Sequence, residues 1–367
     1  MPNFAILIPA HNEAMILASL LSSLKELAYP KGHFMVYVVA DNCTDDTAAL
    51  ARAMGDTGGV QVYERFDSSK RGKGYALNWL LQKLAEDRRI HDAYIVLDAD
   101  SVVVPTFLQA MARAFSQGAR ALQANNTVLN ITESPSAALR WIALSLVNHV
   151  RTLGRNGLGA SSTLTGNGMC LSHDLLQRYP WQAFTIGEDY QYYLILIEHG
   201  ERVCYVPEAV VRSQMPTTFS QMRTQDVRWE SPTGDGSQST WRIAARLLRA
   251  GIRFRDPARI EATAELLTPP LSSLVCGCLL MLLAALIGFL WSPFALLATI
   301  ELLLSLLLIG GLLGYIATPL YLLQPPQAVY RALLHAPGFM LWKLWVYFVL
   351  RRSKKHTSEW VRTSRSA

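Results

Sequence analysis

The chain has 367 residues, two or three domains' worth, with 51% apolar, 17% charged and a net charge of +6. The five cysteines (Cys43, Cys170, Cys204, Cys276 and Cys278) show no zinc-ligand spacing, and their odd number gives no disulfide framework. The basic excess comes without any DNA- or RNA-binding motif, so no nucleic-acid partner is expected; arginines crowd between 240 and 260 and near the C-terminus, beside apolar segments, which points to an anionic membrane face.

The first two-thirds reads as a soluble α/β protein. Met1-Pro2-Asn3-Phe4-Ala5-Ile6-Leu7-Ile8-Pro9 has no basic start and too short an apolar run for a signal peptide, so this part is expected to stay in the cytosol. Phe4 to Pro9 is a buried strand; Ala10-His11-Asn12-Glu13 follows, then a helix through about Glu26 with Ile16, Leu17, Leu20, Leu21 and Leu24 as its apolar stripe. Met35 to Ala40 is a second strand, ending at Asp41, and Val60 to Tyr63 a third. Strand–helix–strand alternation predicts a parallel sheet with helices on both faces. Arg71-Gly72-Lys73-Gly74 then opens a helix, with two glycines that let backbone approach a ligand and cations beside them.

Tyr94-Ile95-Val96-Leu97-Asp98-Ala99-Asp100 is the stretch around which the rest is organised. An apolar run ends in two carboxylates two positions apart, which an extended backbone turns to one side. They fall just past a strand's C-terminal end, where open α/β sheets bind ligands. Two hard oxygen donors there suit Mg²⁺ or Mn²⁺ holding a diphosphate. Ala119 to Asn125 and Val203 to Val206 are further strands, and Ala137 to Val150 is one amphipathic helix, of the core or of a membrane surface. The glycine-rich Gly154 to Gly168 ends Gly166-Asn167-Gly168, a candidate sugar-contacting loop. Glu188-Asp189 heads a helix through His199, and Gln225-x-x-Arg228-Trp229 follows.

Taken in order, Pro9-Ala10-His11-Asn12-Glu13, Asp41, Asp98-Ala99-Asp100, Glu188-Asp189 and Gln225-x-x-Arg228-Trp229 resemble the motifs of family 2 glycosyltransferases of the GT-A fold. The likeness covers residues 4 to 230. It is to the membrane-bound branch with cellulose, hyaluronan, chitin and poly-N-acetylglucosamine synthases and ceramide glucosyltransferases. The resemblance implies a Rossmann-like mixed, mostly parallel sheet with helices on both faces, a UDP-sugar donor, and a glycan or lipid acceptor. It also implies roles. Pro9, His11 and Glu13 would sit by the nucleoside, Asp41 would read the uracil, and Lys73 would lie near the diphosphate. Asp98 would contact the nucleotide and share the metal with Asp100. Asp189 would be the general base, with Glu188 beside it. Arg228 would steady the diphosphate; Trp229, Gln225 and Asn167 would face the acceptor. Residues Glu230-Ser231-Pro232 depart from the basic or glycine-rich continuation usual in the synthases, which leaves single and repeated transfer both open.

The organisation expected is a catalytic domain over 1–238, an amphipathic interfacial segment over 239–268 and a membrane region over 269–367. In the interfacial segment Arg242, Arg246, Arg249 and Arg253 run parallel to Trp241, Ala245, Leu248 and Ile252 at helical spacing. The stretches 271–290 and 294–317 are each long enough to span about 30 Å of hydrocarbon. A hairpin loop without charge, against Arg331, Arg351, Arg352, Lys354 and Lys355 beyond it, puts both hairpin ends in the cytosol, with the chain in the cell's inner (plasma) membrane. Residues 337–350 read as an interfacial helix before a basic tail. Glu301 inside the second span calls for a polar partner, an acceptor headgroup or a neighbouring subunit. Gly310-x-x-x-Gly314 permits the close helix approach of a homo-oligomer.

Overall fold

The computed structural model describes residues 1–55, 59–217, 240–269, 271–291, 295–342 and 345. The strands β1 (Phe4–Ala10), β2 (Phe34–Asp41), β3 (Val60–Arg65), β4 (Ala93–Val96), β5 (Ser101–Val103), β6 (Ala121–Val128), β7 (Met169–Ser172) and β8 (Val203–Ser213) form one sheet, ordered β3-β2-β1-β4-β7-β6-β8-β5. The pairs β1–β2, β1–β4, β2–β3 and β6–β8 are parallel, whereas β4–β7, β6–β7 and β5–β8 are antiparallel. The mixed, mostly parallel sheet expected from the sequence is therefore present. β1, β2 and β4 run the same way, so residues 11–13, 41–42 and 98–100 emerge on one edge. The sheet order reverses at β1, where β4 joins on the side away from β2, and such a switch point opens a crevice.

Helices cover both faces because the strands alternate. Phe4, Ile6 and Ile8 of β1 share a core with α1 (Ala14–Lys25), α2 (Thr47–Gly55) and α4 (Phe107–Ser116). Ala5 and Leu7 point the other way, into a second core with α3 (Lys73–Glu86), α7 (His173–Arg178) and α8 (Glu188–Glu198). Residues 137–150 are not one uniform helix. α5 (Pro135–Leu144), capped by Ser134 Oγ on the Ala137 amide, gives way to a π-helical turn over Ser145–Val150 and then α6 (Arg151–Gly157). Thr152 Oγ1 donates to the Val147 carbonyl (3.0 Å), which stabilises the widened turn.

Further along the chain, α9 (Thr240–Phe254) and α10 (Pro257–Leu267) pack onto the second core through Leu247, Ala258 and Ala262. α11 (Leu271–Trp291) and α12 (Ala295–Leu323) are long and apolar enough to cross a membrane, at about 31 and 43 Å. α12 runs six residues past the expected end at Ala317, through Pro319. Its apolar composition continues, and Thr318 Oγ1 bonds the Gly314 carbonyl (2.9 Å) in that turn. Its last turns (Ile316, Leu320) and α13 (Gln327–Ala332) bury Ala137, Ala138, Trp141 and Ile142 of α5 in a third apolar cluster. The apolar face of α5 thus meets protein. Glu301, Gly310 and Gly314 are exposed on α12. Most of the expected interfacial helix beyond Trp342, and the basic tail, lie outside the described residues.

A buried ionic cluster ties α6 to α10. Arg155 Nε lies 2.5 Å from Glu261 and its Nη2 2.8 Å from Glu265, while Arg151 Nη2 reaches Glu265 at 2.7 Å. Removing one member of a buried pair strands the others. Arg155→Met is expected to cost about 3 kcal/mol, the lower end of the range for such pairs because Glu261 keeps partial access to water. A fall in melting temperature of the purified chain checks it.

Candidate active site

The turn after β1 is held to the turn after β2. Asn12 and Asn42 both take positive φ (56° and 51°), a conformation asparagine tolerates. Asn12 Oδ1 accepts the Thr44 amide (2.7 Å), and the Glu13 amide donates to Thr47 Oγ1 (2.8 Å). His11 Nδ1 lies 2.6 Å from the Asp41 carbonyl, so that nitrogen carries the proton. His11 and Glu13 therefore lie in the turn after β1, whose strand ends with Pro9 and Ala10, beside Asp41. The Asp41 carboxylate is buried and paired with Arg65 Nη1 at 2.5 Å. Burial pushes its pKa up despite Arg65. Arg65 gave no motif signal, and it is the group that fixes the Asp41 carboxylate.

The two glycines around Lys73 do different work from that expected. Gly72 supplies φ of 124° at the start of α3. A Cβ on Gly74 would stand 2.1 Å from the Ala183 carbonyl, so this glycine lets α3 dock against the chain's own loop before α8, not against a ligand. Tyr75 and Phe184 stack across the junction, ring centroids 4.6 Å apart. The docking brings Lys73 beside the head of α8. Its Nζ donates to Asp98 Oδ1 (2.6 Å) and the Gly166 carbonyl (2.5 Å), with Glu188 at 3.6 Å.

Glu188 and Asp189 thus share a crevice with Asp98 and one ammonium. Burial pushes the Glu188 carboxyl up to about 7; Lys73 opposes this and Asp189 reinforces it. Asp189 is also raised, by burial first, with Lys73 opposing. Asp189 Oδ1 accepts its neighbour's amide, Tyr190 N, at 2.8 Å. A Cβ on Gly166 (φ 75°) would meet Asp189 Oδ2 at 3.0 Å and Lys73 Nζ at 3.4 Å. Gly166→Ala is therefore expected to displace the carboxylate and lower turnover by about tenfold or more. Gly159→Ala, with similar φ (71°) and nothing within 4 Å, serves as the backbone control in steady-state kinetics.

Asn167 corrects an expectation. It is 1% exposed, with Nδ2 donating to Ser101 Oγ (2.8 Å) and Ser213 Oγ (2.9 Å) while Oδ1 accepts the Asp98 amide (3.1 Å). Every polar atom of its side chain is engaged inside the protein, so it cannot hold an acceptor. It fixes the backbone of Asp98 instead. Gln123 does the same for the adjoining loop, donating to the Asn167 carbonyl (2.8 Å) and accepting the Thr165 amide (3.0 Å).

Asp98 and Asp100 differ as donors to a divalent ion. Asp98 Oδ1 is engaged by Lys73, whereas Asp100 Oδ1 faces Ser101 Oγ at 3.4 Å. Among the described residues no group of three His, Cys, Asp or Glu side chains is placed to hold a metal. That donor set does not suit a fully protein-caged ion. It fits Mg²⁺ or Mn²⁺ that takes one carboxylate, Asp100 foremost, and completes its shell with diphosphate oxygens. Gln225, Arg228 and Trp229 lie outside the described residues.

A family model described as Glycosyltransferase like family 2 matches residues 2–231. A beta-monoglucosyldiacylglycerol synthase from Nostoc sp. is 29% identical over 192 residues, covering 52% of this chain and 40% of that one. An N-acetylglucosaminyltransferase from Mesorhizobium japonicum is 26% identical over 273 residues, covering 68% and 59%. The chain thus spans about half the length of the curated relatives it matches. A mannosyltransferase from Pyrobaculum calidifontis, solved with GDP-Man and Mn²⁺, superposes with a TM-score of 0.48 at 18% identity, covering 88% of each chain.

Proposed function

From the membership of this chain in glycosyltransferase family 2, we propose that it is a membrane-bound, inverting, metal-dependent transferase that passes a sugar from a UDP-sugar to the hydroxyl of a lipid acceptor. The observation that carries the chemistry is the grouping of Glu188, Asp189, Lys73 and Asp98 at the switch point of the sheet. An acceptor hydroxyl must lose a proton as it attacks the anomeric carbon, and Asp189 is the base. Lys73 balances negative charge where the leaving diphosphate forms. A divalent ion held at Asp100 would supply further charge balance to that leaving group. In-line displacement inverts the anomeric centre, so an α-linked donor gives a β-linkage.

The burial of the end of α12 against α5 supports a lipid acceptor, because it seats a membrane-length helix directly on the catalytic unit. Among the described residues two helices are long and apolar enough to span, few for an enclosed polymer channel within one chain. Arg331, just after the second span, supports cytosolic hairpin ends. The synthase from Nostoc named above is a precedent for a diacylglycerol-type acceptor, and the N-acetylglucosaminyltransferase keeps a growing glycan as the second reading.

The experiment supplies membranes containing the protein with Mn²⁺ or Mg²⁺ and a panel of radiolabelled UDP-sugars. Label in the organic extract names the donor and supports lipid transfer. Label in large water-soluble glycan replaces the lipid with a polymer. No transfer from any UDP-sugar, in membranes that still bind UDP, overturns the reading.

A further inference from the structure

The helix that bears Glu188 and Asp189 at its head is held at its tail by the helices that carry the arginine stripe. α8 has 11 residues, a rigid rod of about 16 Å. Its last carbonyls lack intrahelical partners, as at any helix end, and that of Ile197 accepts the Gly200 amide (3.0 Å). Arg259 of α10 meets two of them: Nε donates to the Ile197 carbonyl (3.1 Å) and Nη2 to the Glu198 carbonyl (3.0 Å). A cation at a helix C-terminus also offsets the negative end of the dipole. The chain makes room for it at Gly200, where a Cβ would stand 3.1 Å from Arg259 Nη2. Arg246 of α9 adds a second tie, to Glu198 Oε1 at 2.8 Å.

The other side of the same helical pair is built for a lipid surface. α9 docks on the protein through Ala244, Leu247 and Gly251. Trp241 (72% exposed), Leu248 and Ile252 form an apolar stripe away from that face, with exposed Arg242, Arg249 and Arg253 beside it. In the chain the pair directly precedes α11, which begins at Leu271. Charge and position select one occupant, the surface of an anionic bilayer. At the end of α9 the Phe254 ring meets Arg259, whose guanidinium lies 5.4 Å from the ring centroid, so α9 and the tail of α8 share this arginine.

Resting on the assignment of the reaction to Glu188 and Asp189, we propose that Arg259 is a positioning residue through which seating of α9 and α10 on an anionic lipid surface fixes the catalytic carboxylates at the far end of α8. The lipid surface acts as an activator, with the coupling running from the seated pair α9 and α10 through Arg259 to the backbone of α8. Seating restricts the guanidinium, the guanidinium anchors the last turn, and the helix carries the constraint to its first turn.

The test uses the full chain in nanodiscs of phosphatidylcholine alone or with phosphatidylglycerol. Amide hydrogen exchange over 188–193 reads the coupling without any substrate. Anionic lipid is expected to slow exchange there by about fivefold or more. Arg259→Gln abolishes that response and lowers kcat, with the KM for the UDP-sugar and the affinity for UDP nearly unchanged; Arg259→Lys restores part of both. If Arg259→Gln fails to fold, the double variant Arg242→Gln, Arg249→Gln takes its place. It removes the lipid response while leaving the rate in phosphatidylcholine as it was. Equal protection in both lipids, or an unaltered lipid response in Arg259→Gln, overturns the proposal. Asp189→Asn separates this failure from failure of the assignment itself, because it tests the base and leaves the lipid-dependent protection intact.

Discussion

Asp189→Asn is expected to abolish sugar transfer, by on the order of 10²–10⁴-fold in kcat, while UDP still binds. The substitution keeps the volume and the contact with the Tyr190 amide but removes the only charge that can receive the acceptor's proton from that position. The pH profile gives the same mechanism a second reading. The base works only when ionised, and both carboxyls of the pair are raised, Glu188 to about 7. The rate should therefore climb with pH above the usual carboxylate range. The sign for stability is opposite. Between pH 4.5 and about 7 the folded chain keeps a proton on Glu188 that the unfolded chain has released, so the fold loses stability as pH rises through that window. Glu188→Gln should then raise the melting temperature relative to the parent at about pH 8 more than at about pH 5. Near-normal turnover in Asp189→Asn would reject it as the base.

What could be read in the sequence follows from what one segment dictates alone. Phe4–Ala10, Phe34–Asp41 and Ala93–Val96 are apolar runs that end in polar or acidic residues, so their pairing and the shared edge were legible. Of the acids on that edge, Asp98 meets Lys73 while Asp41 pairs with Arg65. What depends on distant partners was not legible. Gly166-Asn167-Gly168 reads as an open loop. Only the fold brings Ser101, 66 residues away, and Ser213, 46 residues away, against the Asn167 amide and buries it. The four-residue β7 is too short to show a period, yet it places two antiparallel pairings in the middle of the sheet. The π-helical turn is hidden for another reason: its side chains fit an α-helix equally well, and the turn packs against β6 and α12, which are distant in sequence. Arg65 and Arg155 likewise have no local signature, because an arginine is buried only where carboxylates from other segments meet it.

Lys73→Met is expected to be the most damaging single change after loss of the base. Its ammonium is mostly buried, and burial alone would lower its pKa. Asp98 and Glu188 more than offset that and hold it firmly charged. Without it, among the described residues, the crevice keeps the carboxylates of Asp98, Glu188 and Asp189 and no ammonium beside them. A diphosphate donor then approaches uncompensated negative charge, so KM for the UDP-sugar rises. The leaving group also loses stabilisation as it forms, so kcat falls. Together these should lower kcat/KM by on the order of 10²–10³-fold, as for the loss of other preorganised electrostatic groups. The pH profile distinguishes this from simple disruption of the loop. Lys73 lowers the pKa of both Glu188 and Asp189, so its removal moves the acid limb of the rate to higher pH. The deficit of the variant should therefore shrink as pH is raised, whereas a damaged fold would be equally impaired throughout. Lys73→Arg retains charge but replaces a compact point donor with a planar fork between Asp98 and the Gly166 carbonyl, and should recover the pH profile better than the rate. An unchanged acid limb and an unchanged donor KM in Lys73→Met would remove Lys73 from the donor site and assign it a purely structural role between α3 and α8.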